Sequence, residues 1–456
     1  MPDPSRLSDS DALLWRIEGD PVLRSPILVV GLLDRPPTPG RVAAALEHAV
    51  AAIPRLHQRL DAGSPWARPR WVDDGAFSLD HHVRHVRAAA TGGLDTVLAL
   101  AEPDAASAFD PARPLWQLSV VDGLEDGAAA FVLRFHHTIT DGMGGIELAR
   151  ELFDTSRRPT RRSAAAPPSA EPVQRSDHGP SGVDQTAGWA SAAARAAVDP
   201  VGTSRAGLRM ARSVVKMLAP ARAPLSPILL GRGLDRHLRV LDVPLRGLQE
   251  AARSTGATVN EVFLAAVGGG LRDYHQGSGA PVDALRITMP ISLRTEGDAP
   301  GGNRFTPARF ILPIGDLDPL RRVEVARGIV RAWRAEPAVG MTPLLAAGLA
   351  LLPAPVVQRA FGGMLRSVDV DAVDVPGLRE PAYLAGARVE RLWAFAPPTG
   401  AALSVTLVSH VERACVAIAT DRAAVRDPDE LARCVQRGFD EVLAMGTERR
   451  GRRVPA

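Results

Sequence analysis

The sequence predicts an α/β protein made of two domains, each built on its own sheet. Three observations lead there. Strand-like and helix-like patterns alternate in both halves of the chain. Between about residues 154 and 185 they give way to Pro, Ser, Ala and Arg without periodicity, the composition of a linker or exposed loop. The length of 456 residues is also roughly two to three domains' worth. The expected division is a first domain over residues 1–155, a flexible linker over 156–185 and a second domain over 186–456.

In the first half, 27–33 is a short apolar run suited to a buried strand, and 41–52 has helical spacing. Residues 129–135 read as another strand, followed by a turn and a helix over 145–153. In the second half, 238–241 reads as a strand and 245–253 as a helix stopped by Gly256. Thr258-Val259-Asn260-Glu261 has the spacing of a capping box and opens a helix to about Asp273. Asp318-Pro319 and Asp427-Pro428 each set a cap residue before proline at the first helical position.

Composition narrows the function classes. Hydrophobic residues at 46% and charged residues at 23% give the balance of a globular protein able to bury a core without staples. Cys415 and Cys434 are the only cysteines, which excludes a disulfide framework and a cysteine-based metal site. The opening Met1-Pro2-Asp3-Pro4 carries acid and no apolar run, so a secretory signal is not expected and a reducing cytoplasm fits. The net charge of +3 is too small to argue for a nucleic-acid partner. The longest apolar run, 341–361, is interrupted by Pro343, Pro353 and Pro355, which predicts buried helical pieces and not a spanning helix.

The sharpest local feature is His136-His137-Thr138-Ile139-Thr140-Asp141-Gly142. It closes a strand in which Phe131, Leu133, Phe135 and His137 share one face by alternation, leaving His136 on the other with Val132 and Arg134. A base that activates a hydroxyl must titrate near neutrality, and histidine does so with little help. Asp141 either orients that base or clamps an arginine and fixes the loop. Adjacent strand histidines point to opposite faces, so the pair cannot readily share one zinc.

This run resembles the H-H-x-x-x-D-G signature of the CoA-dependent acyltransferase superfamily. Further segments resemble its wax ester synthase/diacylglycerol acyltransferase family, in order along nearly the whole chain. They are Arg6-Leu7-Ser8-Asp9 near the start, Trp71-Val72-Asp73-Asp74, His82-Val83-Arg84 and Pro114-Leu115-Trp116. Gly256-Ala257-Thr258-Val259-Asn260-Glu261, Pro290-Ile291-Ser292-Leu293-Arg294 and Gly302-Asn303 follow in the second half. Two departures stand out. Glu261 replaces the family's aspartate, and the family's N-V-P-G-P loop reads Asp374-Val375-Pro376-Gly377-Leu378. Asparagine can donate a hydrogen bond, whereas an ionised aspartate only accepts.

The resemblance implies two acyltransferase-like domains, each a mixed sheet flanked by helices, with a tunnel between them. It implies O-acyl transfer from acyl-CoA, the co-substrate, to a diacylglycerol or fatty-alcohol hydroxyl, with no metal and no bound cofactor. His137 is then the general base, with His136 and Asp141 beside it in the catalytic motif. Asn260 becomes a contributor to oxyanion stabilisation. Gly142, Pro114, Leu115, Trp116, Arg294, Asn303 and Asp374 are expected to bind substrate or support the site. Two alternatives stay open: esterification of a secondary-metabolite hydroxyl, and a non-catalytic lipid- or CoA-binding relative. Insoluble acceptors imply work at a membrane or lipid-droplet surface, peripheral and cytoplasmic.

Three other features have competing readings. His81 and His85 have i, i+4 spacing but lack a nearby ligand partner for metal. Gly268-Gly269-Gly270 precedes no phosphate-binding lysine and reads as close helix packing. Over 205–218, Arg205, Arg209, Arg212 and Lys216 form one helical stripe and Leu208, Ala211, Val215 and Leu218 another. That segment is either an ordinary amphipathic helix packed on the core or one lying in a membrane interface.

Overall fold

The three strands expected from the sequence form at Pro26–Leu33, Ala129–His136 and Arg236–Pro244. The structure, a computed structural model, describes residues 5–63, 68–140, 142–158, 223–292, 305–336, 349 and 352–451. In chain order the first half contributes β1 (Pro26–Leu33), β2 (Gln58–Asp61), β3 (Arg70–Asp73), β4 (Val83–Gly92), β5 (Trp116–Leu124) and β6 (Ala129–His136). The second half contributes β7 (Arg236–Pro244), β8 (Ala284–Ser292), β9 (Phe305–Pro313) and β10 (Val370–Val375). After these come β11 (Tyr383–Leu384), β12 (Ala387–Phe395), β13 (Leu403–His410) and β14 (Arg413–Asp421).

The strands form two six-stranded mixed sheets and a small β2–β3 ribbon. The first sheet runs β11-β12-β1-β6-β5-β4, with only the β4–β5 pair parallel. The second runs β7-β14-β13-β10-β8-β9, with β10 parallel to both its neighbours. Sheet membership therefore does not follow a single cut at 156–185. β11 and β12 come from the second half of the sequence but complete the first sheet, where β12 pairs with β1 from Leu28↔Phe395 to Leu33↔Val389. Local pattern does not say which sheet β12 joins; only the partner's register decides it. The linker itself falls mostly within 159–222, outside the described residues.

Local signals in the second half form as their chemistry requires. Gly256 ends the helix Leu245–Thr255 with φ of +66°, the left-handed turn that glycine takes without steric cost. The Thr258–Glu261 capping box closes in both directions at the start of the helix Val259–Gly277. Asp318 and Asp427 cap the helices Pro319–Arg334 and Pro428–Gly451 through the backbone N–H groups of Arg321 and Glu430.

The glycine run packs helices, not phosphate. A Cβ on Gly270 would meet the backbone of Val435 at 2.5 Å, and one on Gly438 would meet the carbonyl of Ala266 at 2.1 Å. The helices Val259–Gly277 and Pro428–Gly451 thus touch backbone to backbone beneath the second sheet. Elsewhere the two sheets and their flanking helices are tied together by further contacts. Glu102 accepts from the Leu238 N–H and from Arg422, Arg391 of β12 pairs with Asp242 of β7, and the helix Ala354–Arg366 packs on Asp9–Ile17 through Leu13, Leu14, Ile17, Val357 and Phe361. No helix among the described residues is long and apolar enough to cross a membrane.

Close helix contact makes a sharp expectation. Gly438→Ala should destabilise the protein by roughly 1–3 kcal/mol, because the neighbouring backbone cannot yield cheaply. Gly328 lies in the helix Pro319–Arg334 with open space where a Cβ would go, so Gly328→Ala should instead gain up to about 1 kcal/mol from helix propensity. Denaturant melts of the two variants beside the parent check both signs.

Candidate active site

The face of the first sheet that carries the histidine row looks across at the second sheet, and a cavity of about 460 Å³ lies between them. Phe131, Leu133, Phe135 and His137, the row expected from alternation, all line it. Ile27 and Val29 of β1 and Leu392 and Ala394 of β12 extend that wall. The opposite wall comes from β8, β9, β10 and β13, and the helix Ala354–Arg366 adds Phe361, Met364 and Leu365. The lining is mostly aliphatic and aromatic, so the polar side chains within it stand out.

His137 is half-buried at the end of its row and faces the cavity. Its backbone N–H donates to the Ser25 carbonyl at 3.1 Å, which ties the end of β6 to the segment entering β1. His136 is fully buried on the other face. Its Nδ1 accepts from the Thr138 backbone N–H at 3.1 Å, so its proton lies on Nε2, 3.1 Å from the Glu18 carboxylate. Glu18 also accepts from the Ser25 N–H at 3.0 Å. One carboxylate therefore holds both His136 and the segment that anchors His137. Trp15 and Phe109 close around the His136 ring edge-on.

The turn after the histidines is clamped by Arg55, whose guanidinium donates to the carbonyls of Thr138 and Ile139 at 3.2 and 3.1 Å. Glu18 and Arg55 carry no motif signal. Only the fold brings them to the turn, from residues 118 and 83 positions away in sequence for the respective contacts. Leu115 and Trp116 are buried and serve as support: the Leu115 carbonyl accepts from the His136 N–H, and the Trp116 indole N–H donates to the Leu56 carbonyl. Pro114 leads directly into this pair, and its own carbonyl accepts from the Trp116 N–H.

His82 belongs to the same support. It stacks between Phe77 and Trp116, and its Nδ1 donates to the Trp116 carbonyl at 2.7 Å. Burial holds its pKa below the usual histidine range, partly offset by that bond. His81 and His85 do not share a helical face, because a short helical turn ends at His81 and β4 begins at Val83.

Two carboxyls of β10 line the cavity: Asp374, singled out by its departure from the family loop, and Asp371, which motif reading missed. Each keeps part of its surface accessible, and both line the cavity. Burial accordingly pushes Asp371 up to about 8 and Asp374 up to about 6. Below about pH 6 Asp374 carries a proton and can donate as asparagine does. Gly377 lets the following loop cross β13: a Cβ there would meet the Ser409 carbonyl at 1.9 Å, and its N–H donates to the Ser409 hydroxyl.

The remaining site expectations divide. Gly142 begins the helix Gly142–Leu152, three residues earlier than the spacing suggested, and Gly145, Leu148 and Leu152 of that helix face the cavity. Asn260 is in the first turn of its helix, with its amide donating to the Met289 sulfur at 3.5 Å, and it is not among the cavity-lining residues. Asp141, Arg294 and Asn303 lie outside the described residues. A buried Ser226–His275 pair in the second half resembles a nucleophile and base at 2.8 Å. Both residues are fully enclosed, though, and the Ser226 hydroxyl also accepts from the Ile228 and Leu229 N–H groups. It is a structural bond and not part of the cavity.

The raised carboxyls set a stability slope. The unfolded chain loses these protons near pH 4 while the folded chain keeps them, so the stability due to Asp371 is present below about pH 4 and lost as pH rises toward 8. Asp371→Asn removes that slope. Its melting temperature relative to the parent should rise from pH 5 to pH 8, a trend that paired thermal melts at the two pH values can check.

Comparison with known proteins agrees with this architecture. The family described as the wax ester synthase/diacylglycerol acyltransferase catalytic domain matches residues 7–263, and the WS/DGAT C-terminal domain matches residues 301–442. A Mycobacterium tuberculosis protein provisionally named a diacylglycerol O-acyltransferase is 38% identical over 468 residues, covering 99% of this chain and 95% of its own. The solved wax ester synthase/diacylglycerol acyltransferase of Marinobacter aquaeolei VT8 superposes with a TM-score of 0.63 at 18% identity, covering 97% of this chain and 100% of that one. The first condensation domain of the CDA synthetase gives 0.60 at 18% identity, covering 97% and 96%. At such identities the structural likeness speaks for the fold alone. The family match over most of the chain carries the assignment: the protein belongs to the wax ester synthase/diacylglycerol acyltransferase family.

Proposed function

We propose that the protein transfers a long-chain acyl group from acyl-CoA to the hydroxyl of a diacylglycerol or fatty alcohol, with His137 as general base. The observation that carries this reading is the imidazole of His137 at the wall of a mostly apolar cavity between two sheets. An acyl chain gains roughly 25 cal/mol per Å² on leaving water for such a lining. The imidazole of His137 removes the acceptor's hydroxyl proton as the oxygen attacks the thioester carbonyl. The tetrahedral intermediate then expels the CoA thiolate, which takes the proton back from the imidazolium.

Direct transfer fits the surroundings better than an acyl-enzyme. Ser25 lines the cavity, but its hydroxyl donates to the Leu23 carbonyl and not to a base. Burial pushes the Cys415 thiol up to about 11 and that of Cys434 up to about 12, far from the thiolate a nucleophile needs. His136 acts in this reading through the turn it stabilises and not on substrate.

The acceptor must come from a lipid surface, and peripheral attachment follows as part of the proposal. Leu352 just before the helix Ala354–Arg366 and Val356 within its first turn are exposed, while Phe361, Met364 and Leu365 of the same helix line the cavity. The basic and apolar stripes expected over 205–218 lie outside the described residues. Replacing Arg205, Arg209, Arg212 and Lys216 with glutamate should abolish any preference for anionic over neutral vesicles in sedimentation at low salt, each charge contributing about 1 kcal/mol near such a surface. Unchanged sedimentation would return the segment to the core.

The central test is CoA release by the purified protein with long-chain acyl-CoA and either acceptor. His137→Ala should lower that rate at least about a hundredfold at unchanged melting temperature. Glu18→Ala should lower rate and melting temperature together, with Glu18→Gln recovering much of both. Near-parental turnover by the His137 variant would rule out the mechanism.

A further inference from the structure

A line of polar groups crosses the second wall of the cavity. Asp371 of β10 is directly opposite Thr288 of β8, and Thr288 is directly opposite Arg309 of β9. Residues opposite one another in a sheet share a face, and all three line the cavity. Adjacent strands lie about 4.8 Å apart, so the row from Asp371 to Arg309 spans roughly 10 Å. Around it the wall is mostly apolar, with Val373, Val375, Met364, Leu365 and Pro290, and Asp374 and Thr406 are its other polar members. His137 faces the same cavity from the first sheet.

We propose that the row Arg309–Thr288–Asp371 binds the ester oxygens of an acylglycerol acceptor and so selects diacylglycerol over a plain fatty alcohol. The inference rests on the acyl transfer proposed above and names its acceptor. A fatty alcohol is hydrocarbon beyond the hydroxyl that reacts, so it offers these groups nothing to bond. A diacylglycerol carries two esters close to its free hydroxyl, a spacing that suits a row of this length. A guanidinium and a threonine hydroxyl donate to ester carbonyls, and Asp371, pushed up to about 8, keeps its proton at neutral pH and can donate as well. Sites built to hydrogen-bond a substrate discriminate strongly against analogues that lack the partner atoms.

The test compares kcat/KM for dioleoylglycerol and for hexadecanol, both with palmitoyl-CoA, on one preparation of each variant. Measuring a ratio on the same sample cancels any loss of folded protein. Thr288→Val, which keeps the side chain's shape, and Asp371→Leu should each lower the diacylglycerol-to-alcohol ratio roughly ten- to hundredfold. Asp371→Asn, which still donates, should keep the ratio within a few-fold of the parent. An unchanged ratio in Thr288→Val, or equal loss with both acceptors, would overturn the proposal, equal loss pointing to the amides of the acyl-CoA arm instead. Failure of the parent to release CoA with either acceptor would sink the acyl-transfer reading itself, a separate outcome read before any variant is made.

Discussion

Everything at the site depends on β1 being paired on both sides. On one edge it holds β6 in antiparallel register from Pro26↔His136 to Leu33↔Ala129, and on the other it holds β12 from the second half of the chain. The first pairing sets where the histidine row ends. The second completes the wall opposite the second sheet, since Leu392 and Ala394 of β12 line the cavity with Ile27 and Val29 of β1. A one-residue slip in either ladder would turn the lining row away from the cavity. The two facing walls of the cavity therefore depend on strand register, with loops and helices closing its ends.

The two adjacent histidines illustrate how alternation divides labour. His137 is on the cavity face, and His136 is on the buried face, where Glu18, Thr138, Trp15 and Phe109 enclose it. A buried imidazole with an unmatched nitrogen would be costly. Here both nitrogens have partners, and those partners also fix the chain on either side of His137. Arg55 completes the arrangement from beyond the turn. Rigidity around a base matters because general-base catalysis requires the proton acceptor within hydrogen-bond reach of the substrate hydroxyl.

The cavity is apolar on the scale of an acyl chain but not uniformly so. Carboxyls facing it are held above their usual pKa because the charged form loses water there without a compensating partner of opposite sign. At Asp374 this softens the departure from the family's asparagine, since a protonated carboxyl recovers the donor that a carboxylate lacks. At Asp371 it turns an acid into a neutral hydrogen-bonding group within a mostly apolar wall. Retaining such groups costs stability that an alkyl side chain would not, which makes them more informative about ligand than the surrounding leucines and valines.

Much of this was legible from residues alone. The face shared by Phe131, Leu133, Phe135 and His137 follows from period-two alternation, and the Thr258–Glu261 cap follows from spacing, because both are local and obey fixed geometry. The motifs carried the family with them for the same reason: they are contiguous runs. The roles of Glu18, Arg55 and Asp371 were not legible. Glu18 reaches His136, and Arg55 the turn beyond it, only after the chain has returned through several strands. Asp371 comes into one row with Thr288 and Arg309 only through the register of neighbouring strands. The sequence by itself determined several of the elements, the candidate base and the family. Only the tertiary structure decided that β12 crosses to the first sheet and which polar groups share the cavity, because register between distant strands is settled by packing across the whole sheet and leaves no local pattern to read.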